Sequence, residues 1–289
     1  MNIQMWISQS KLKTSDAVDL LFFAFSPKTT LDSKSWVLAN NEMQLSASKL
    51  AKLNKLCLRR QNNEPIQYIL GYTEFGELKL KVNKQVLIPR QETLELVNLV
   101  ITYIKDTYNL QPTTYNLSIA DIGTGSGAAA ISIAKFALNH HLPIKVIATD
   151  ISEEALNVAR SNSSAILLDK LDQSVQFELL IGNLLHSIDE PIDIIVANLP
   201  YIPKKEIDKL DSSVKNFEPY LALDGGENGL DLIYELIKQA ETKLNPKGKI
   251  FLEIWDGHSK KDFAQFTNFY VKILADSFGK TRFAILTKS

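Results

Sequence analysis

The chain has almost no cysteine: Cys57 stands alone, so no disulfide can form within the sequence. Long apolar runs are also lacking, and none approaches the roughly 20 residues that a helix needs to cross a bilayer. The first residues contain no apolar core followed by a cleavage site, so we expect no signal peptide. Together these absences predict a cytoplasmic protein in a reducing compartment, without a membrane association.

An excess of charge of one sign is missing too. Lys and Arg number 32 against 33 Asp and Glu, which leaves a formal net charge of −1. A basic field able to hold bare nucleic acid is therefore absent, and we expect no direct nucleic-acid binding. The four histidines, which are His140, His141, His186 and His258, have neither H-E-x-x-H nor cysteine-paired spacing. We therefore expect no metal site.

What the chain does have changes along its length. Up to about residue 70 the patterns are those of amphipathic helices without strands, as in SASKLAKLNKLCLRR. A β-hairpin is predicted within TEFGELKLKVNKQVLIP, with its turn in VNKQV, followed by an amphipathic helix in ETLELVNLVITYIKDTY. From Leu117 strands and helices alternate, which predicts a parallel sheet covered by helices on both faces. The segment YVKILADSFGKTRFAILTK closes the chain as a second hairpin.

A glycine-rich turn joins the first of these later strands to its helix in LSIADIGTGSGAAA. Glycines lack Cβ, so the backbone at Gly123, Gly125 and Gly127 can approach a ligand closely. Their G-x-G-x-G spacing is not the G-x-G-x-x-G of dinucleotide binding, and no P-loop lysine follows. Ligands of open parallel sheets bind beyond the carboxyl ends of strands, near the switch in strand order. We therefore expect a ligand at this turn.

Two acidic residues accompany the turn: Asp121 precedes it, and Asp150 ends the next strand in VIATD. The ordered set resembles the S-adenosylmethionine site of seven-stranded methyltransferases, where the first acid lies near the methionine end and the second binds the ribose. After a further strand, Asn183 and Leu184 are expected at the adenine, although a polar strand end without a ligand explains Asn183 nearly as well. The predicted donor site is Asp121, Gly123, Thr124, Gly125, Ser126, Gly127, Asp150, Asn183, Leu184 and Asn198.

The strand DIIVANLP ends in a polar corner formed by Asn198, Leu199, Pro200 and Tyr201. The side-chain carbonyl of Asn198 and the peptide carbonyl of Leu199 are two acceptors, and a primary amide has two N–H donors. We predict that this corner orients a planar amide while its nitrogen receives a methyl group, with Tyr201 stacked on the amide. Pro200 restricts Leu199 to extended geometry. An apolar strand that ends in a proline turn capped by Asn198 is the alternative without chemistry.

N-P-P-Y at this place marks methyltransferases that act on planar nitrogens, and this chain resembles one branch over nearly its full length. That branch is the release factor glutamine methyltransferases of the PrmC/HemK type. The matching segments are RRQNNEPIQYILGYTEFGELKLKVNKQVLIPRQETLELV, DIGTGSGA, VIATDIS, DIIVANLPYIP and EPYLALDGGENGLDLI. The most specific matching residues are Glu64, Pro65, Gln67, Tyr68, Gly71, Ile88, Pro89, Arg90, Glu92 and Thr93.

The resemblance implies an α/β fold: a Rossmann-like seven-stranded methyltransferase domain, with a mostly parallel sheet and a C-terminal antiparallel hairpin, preceded by a small all-α domain. We place a helical substrate-docking domain at 1–73, a linking β-hairpin at 74–90 and the methyltransferase domain at 91–289.

The implied reaction methylates N5 of the glutamine in the Gly-Gly-Gln motif of class-1 peptide chain release factors. S-adenosylmethionine is the implied cofactor and S-adenosylhomocysteine its product. The corner Asn198, Leu199, Pro200 and Tyr201 would be catalytic and would hold the glutamine, with Arg90 and Glu92 as further substrate-binding residues. We expect a monomer.

The chain departs from the family pattern at several positions. Leu199 replaces the first proline of N-P-P-Y, Asn183 an aspartate and Trp255 a glycine. Gln91 replaces a proline and Leu94 a glutamate. These changes keep alternatives open: methylation of a ribosomal-protein glutamine, N6-methylation of adenine in nucleic acid, or a binding protein with a degraded site.

Overall fold

The computed structural model describes residues 1–108, 116–168, 171 and 174–289. The chain forms two compact units, one of residues 1–72 with 211–217 and the other of residues 73–210 with 218–289. The segment 211–217 was expected inside a continuous domain over 91–289, but the structure groups it with the helical unit. Sequence pattern could not show this, because a seven-residue excursion of the chain leaves no periodic signal of its own.

The helices and strands alternate along the second unit much as the sequence predicts. In chain order the helices are α1 (Ile3–Gln9), α2 (Thr14–Phe25), α3 (Ser33–Ala39), α4 (Ala47–Gln61), α5 (Ile66–Leu70), α6 (Gln91–Tyr108), α7 (Ala128–Asn139), α8 (Glu153–Leu167), α9 (Lys204–Ile207), α10 (Ser212–Lys215) and α11 (Asp231–Lys243). The strands are β1 (Tyr72–Phe75), β2 (Leu78–Lys81), β3 (Leu117–Ile122), β4 (Ile144–Asp150), β5 (Val175–Ile181), β6 (Ile192–Ala197), β7 (Leu244–Glu253), β8 (Phe269–Ala275) and β9 (Thr281–Lys288).

The helical unit folds around its own apolar core. Along α4, Leu53 and Leu56 are buried whereas Lys52 and Lys55 are exposed, as the spacing predicts. The core also contains two tryptophans, Trp6 and Trp36 among its buried residues. Ser46 is the N-cap of α4, where its side chain accepts a hydrogen bond from the N–H of Lys49.

The first hairpin is present, but its turn was wrongly predicted. Strands β1 and β2 pair across Gly76 and Glu77, and VNKQV forms a separate turn after β2. Gly76 has φ of +55°, which glycine adopts without strain, so a two-residue connection fits there. The alternation of Leu78, Leu80 and Val82 does not show where the turn lies, because it continues past the strand.

The main sheet has seven strands in the order β5-β4-β3-β6-β7-β9-β8. Neighbours from β5 to β7 are parallel, and β9 is antiparallel to both β7 and β8. The strand order reverses between β3 and β6, which is where open parallel sheets bind ligands. The predicted α/β fold, with its C-terminal antiparallel pair and its preceding helical region, is confirmed.

Alternate residues of the central strands feed two cores on opposite faces of this sheet. Ile119 and Val196 belong to the core that contains α6 and α7, whereas Ala120 and Ile195 belong to the core that contains α11. All these side chains are fully buried. Burial on both faces explains why these strands are continuously apolar, and why the polar residues at their carboxyl ends stand out.

In the described part of the chain, no helix has both the length and the apolar character needed to cross a bilayer.

Candidate active site

A cavity of about 390 Å³ lies at the carboxyl ends of β3, β4, β5 and β6. This volume lies within the range of small-molecule sites, which is on the order of 300–1,000 Å³. The predicted site residues that line it are Asp121, Gly123, Thr124, Gly125, Ser126, Asp150, Asn183, Leu184, Asn198, Leu199 and Pro200. Four others do not line it, namely Gly127, Tyr201, Arg90 and Glu92.

The glycine turn has backbone angles that favour glycine, and hydrogen bonds to β4 hold it in place. Gly123, Gly125 and Gly127 have φ of +71°, +55° and +84°, which L-residues avoid. The N–H groups of Gly123 and Thr124 both donate to the carbonyl of Thr149, at 2.9 Å each. A Cβ on Gly125 would meet no other atom within 4 Å, so only open space faces that position. Gly127 has a packing role instead, because a Cβ there would lie 2.9 Å from Cδ1 of Ile131.

Asp121 is buried beneath this turn, with 3% of its surface exposed. Its Oδ2 accepts hydrogen bonds from the Thr124 hydroxyl at 2.7 Å and from the N–H of Ala130 at 3.0 Å. Burial raises the pKa of Asp121 from 3.8 to about 6, against the lowering effect of these two bonds. Its Oδ1 has no hydrogen-bond partner among the described residues, and the residue lines the cavity. Asp121 can therefore accept a donor from a ligand.

Asp150 links the predicted donor turn, Gly123–Gly127, to the start of α8. Its Oδ2 accepts the N–H of Gly125 at 2.8 Å, and its Oδ1 accepts that of Ser152 at 2.9 Å. Burial raises the pKa of this carboxyl, and the bonds oppose that shift. Each oxygen keeps a further lone pair, so the group can still accept from a ligand at the cavity wall.

Asn183 and Leu184 differ in burial although they are adjacent. Asn183 is exposed at the cavity wall, whereas Leu184 is 6% exposed and has φ of +55°. The carbonyl of Leu184 accepts the hydroxyl of Thr149 at 3.1 Å, which fixes this loop beside the end of β4.

The predicted acceptor corner, formed by Asn198, Leu199, Pro200 and Tyr201, is oriented by residues that are distant in sequence. Nδ2 of Asn198 donates to Oγ1 of Thr93 at 2.8 Å, and the Thr93 hydroxyl donates to Oε2 of Glu253 at 2.8 Å. The hydroxyl of Tyr201 donates to the other Glu253 oxygen, Oε1, at 2.8 Å. Oδ1 of Asn198 has no partner in the part of the chain that the structure describes, and Asn198 lines the cavity.

Two glycines in DGGENG support the backbone of this corner. A Cβ on Gly229, where φ is +77°, would lie 2.1 Å from the carbonyl oxygen of Tyr201. A Cβ on Gly225 would lie 2.7 Å from the carbonyl oxygen of Pro200. The N–H of Gly225 also donates to the carbonyl of Ile202 at 3.0 Å. The segment after Leu223 thus packs directly on the corner, which is why it must lack side chains there.

The remaining predicted substrate residues lie elsewhere. Arg90 forms an ion pair with the buried carboxylate of Glu218, which also accepts the N–H of Ile88 at 3.2 Å. Glu92 lies in the first turn of α6 and is partly exposed. The Tyr201 side chain contacts the apolar core and Glu253, so its stacking on a substrate amide stays a prediction.

The departures from the family pattern have defined surroundings. Cδ2 of Leu199 lies 3.0 Å from the position that a Cβ on Gly123 would take, so Leu199 packs on the donor turn. The Trp255 ring packs on Gly257 and makes an edge contact with His258 at 5.7 Å between centroids. Leu94 packs against the first hairpin at Gly76, and Gln91 is an exposed first residue of α6.

Thr93 and Glu253 were not assigned a role from sequence. A charged residue inside the apolar strand KIFLEIW was the available signal, because a buried carboxylate requires donors. Its partners Thr93 and Tyr201 could not be found that way, since they lie 160 and 52 positions away.

Comparison with known proteins decides the family. The PrmC N-terminal domain model matches residues 32–71, and the model of ribosomal protein L11 methyltransferase (PrmA) matches residues 99–217. The release factor glutamine methyltransferase of Lactococcus lactis subsp. lactis (strain IL1403) is 37% identical over 286 residues, which cover 96% of this chain and 98% of that protein. This chain belongs to the release factor glutamine methyltransferase family.

A second relative supports the same family assignment. The protein of the same name from Moorella thermoacetica (strain ATCC 39073 / JCM 9320) is 38% identical over 252 residues, which cover 85% of this chain and 83% of that protein. The resemblance stated from sequence is confirmed, and the chain is a methyltransferase. The hMettl16 catalytic domain, solved with a MAT2A 3′UTR hairpin, shares the fold at a TM-score of 0.50 and 15% identity, with 84% of this chain and 82% of that chain covered.

Proposed function

We propose that this methyltransferase methylates the side-chain amide nitrogen (N5) of the glutamine in the Gly-Gly-Gln motif of class-1 peptide chain release factors, with S-adenosylmethionine as the donor. The observation that carries the proposal is the hydrogen bonding of Asn198, which lines the cavity: its N–H₂ donates to Thr93, and its carbonyl oxygen has no partner among the described residues. Such an acceptor suits an amide N–H.

The donor side of the cavity fits S-adenosylmethionine. The space at Gly125 and the carboxylates of Asp121 and Asp150 at the cavity offer room and acceptors for a ligand with an ammonium group and a ribose diol. Oδ1 of Asp121 has no partner within the part of the chain that the structure describes. Asp121 would hold the ammonium and Asp150 the ribose. When bound, S-adenosylmethionine supplies a methyl group carried on a positively charged sulfur. As the N–C bond forms, the S–C bond breaks, and its electron pair stays with the departing sulfur.

The acceptor side supplies orientation and polarisation. An amide nitrogen is a weak nucleophile because its lone pair is delocalised into the carbonyl. If Oδ1 of Asn198 and the carbonyl of Leu199 accept the two N–H groups, they shift electron density towards nitrogen and fix the plane of the amide. Proper alignment of reacting groups contributes several kcal/mol, on the order of 7–11 in the best cases. The methylated nitrogen then releases one proton and becomes a neutral secondary amide.

A labelling experiment tests the substrate. The purified protein is incubated with methyl-labelled donor and full-length release factor, or a release factor whose Gly-Gly-Gln glutamine is replaced by alanine. Label is expected on the first factor only, with one methyl group on the glutamine by mass spectrometry. Ribosomes, ribosomal proteins and RNA are offered in parallel. Label confined to any of these would refute the release-factor proposal, and no label on any acceptor would favour a binding protein with a degraded site.

A further inference from the structure

We infer that Glu253 and Thr93 are positioning residues that set which way the Asn198 amide faces, so that its carbonyl oxygen and not its N–H₂ is presented to the substrate. The inference rests on the proposed function for what Asn198 meets, but the hydrogen-bond polarity it describes is a property of the protein alone.

The direction of these hydrogen bonds is set first at Glu253, because an ionised carboxylate can only accept hydrogen bonds. Glu253 is 1% exposed, and its two oxygens each receive one hydroxyl, that of Thr93 on one side and that of Tyr201 on the other. Burial raises the pKa of Glu253 and outweighs the lowering by these two hydroxyls and by the positive charge of nearby Arg282. The direction of the hydrogen bonds therefore rests on the geometry, in which each carboxyl oxygen of Glu253 accepts one hydroxyl.

Thr93 then sets the direction of its hydrogen bond with Asn198. A hydroxyl has one hydrogen, and Thr93 directs it to Glu253 at 2.8 Å. Towards Asn198 the Thr93 oxygen can therefore only accept, and the group of Asn198 that faces it must be the N–H₂, at 2.8 Å. The opposite end of the planar amide is then the oxygen. The two ends of an asparagine amide have nearly the same shape, so packing alone could not select between them.

The consequence for catalysis is direct. An inverted Asn198 would present two donors to a substrate amide that itself offers donors, and the contact would be repulsive. Neither Thr93 nor Glu253 needs to touch the reacting atoms for this effect. Thr93 and Asn198 line the cavity, whereas Glu253 does not and is bonded to Thr93.

Thr93→Val keeps the shape of the side chain and removes both hydrogen bonds. It should lower kcat by at least about tenfold, the effect of losing one net hydrogen bond in the reactive geometry. The affinity for S-adenosylhomocysteine, by calorimetry, should stay within about twofold. Thr93→Ser, which keeps the hydroxyl, should restore most of kcat. Thr287→Val is the matched control and should leave kcat unchanged. It removes a β9 hydroxyl that accepts a hydrogen bond from Lys249 of β7, and neither residue lines the cavity.

A second measurement needs no turnover. In protein labelled at asparagine, the Asn198 side-chain amide signal is identified by its absence from Asn198→Ala. Its hydrogens should exchange slowly with solvent in the parent and in Thr93→Ser, and at least about tenfold faster in Thr93→Val. Full kcat together with unchanged exchange in folded Thr93→Val would overturn the inference.

If Thr93→Val does not fold, Glu253→Met tests the same point. It keeps about the length of the side chain but removes both acceptor oxygens, so the Thr93 hydroxyl loses its acceptor. Lower kcat and faster Asn198 exchange support the inference, and unchanged values of both contradict it. Should the parent protein transfer no label to any acceptor, the proposed function fails, but the exchange experiment still decides whether the polarity exists.

Discussion

The proposed donor turn (Asp121 to Gly127, with Asp150) and the proposed acceptor corner (Asn198 to Tyr201) both contribute residues to one cavity but are built in different ways. The donor turn is nearly local: its glycines, Asp121 and Asp150 lie within 30 positions, and they bond mainly to each other and to nearby backbone. The acceptor corner depends on distant partners, with Asn198 bonded across 105 positions to Thr93 and Tyr201 across 52 to Glu253. A local site can be recognised as a motif, whereas a corner assembled from distant strands cannot.

The largest expected effect separates the two regions. Asn198→Ala removes the side-chain amide of a cavity-lining residue, which we propose to accept from the substrate, and should lower the rate of methyl transfer by about 10²–10³-fold, as when one preorganised polar group is removed from an enzyme site. The affinity for S-adenosylhomocysteine should change little, because the donor turn is untouched. Both quantities are measured on the same preparation, by initial rates and by calorimetry. A large loss of donor affinity would mean that Asn198 also binds the donor, so that the two regions do not have separate roles.

Asp150→Ala is the converse change at the donor turn. It removes a carboxylate that holds the N–H groups of Gly125 and Ser152, and a charge-assisted contact to a ligand contributes about 1.5–3 kcal/mol. We expect donor affinity to fall by at least about tenfold. Unchanged affinity in calorimetry would place the donor away from this turn.

Glycine substitutions test the packing of the corner. Gly229→Ala combines a positive φ with a Cβ 2.1 Å from the carbonyl oxygen of Tyr201, so the corner must shift. Gly279→Ala has a similar φ of +79° but no atom within 4 Å of its Cβ, and it measures the backbone strain alone. Gly279→Ala should lower the free energy of unfolding by about 1 kcal/mol, and Gly229→Ala by about 2–4 kcal/mol.

Denaturant titration with a transfer assay checks this pair. Transfer should fall in Gly229→Ala and remain in Gly279→Ala under conditions where both are folded. Equal losses of stability would mean that the contact with Tyr201 relaxes freely.

The smallest effect is the pH dependence of donor binding. The pKa of Asp121 is about 6 in the folded protein, and the carboxylate is the form that attracts an ammonium. Donor affinity should be constant well above pH 6 and fall below it, by a few-fold between about pH 6 and pH 5. The free energy of unfolding of the protein without ligand should gain from this group as pH falls from about 6 towards 3.8, because the folded state binds the proton more tightly.

Calorimetry across this range, on the parent and on Asp121→Asn, checks the pH prediction. The parent should show the fall and the variant should be flat. An equal slope in both would assign the titration to another group.

Several features were predictable because they depend on neighbours in sequence. The alternation of apolar strands and amphipathic helices predicted the sheet, since burial on both faces requires continuous apolar strands. The turn of the first hairpin was wrongly placed, because the alternating pattern runs on through Val82. The cytoplasmic location, the monomeric state and the roles of individual site residues stay predictions.

The sequence by itself determined the succession of strands and helices along the chain, the glycine turn at Gly123–Gly127 and the presence of an asparagine at a strand end, because each follows from spacing along the chain. Only the tertiary structure decided how that asparagine is oriented, which residue receives the hydroxyl of Tyr201 and why Gly229 has no side chain. Hydrogen bonds between β6, β7 and the start of α6 depend on distances across the fold, and residue spacing carries no record of them.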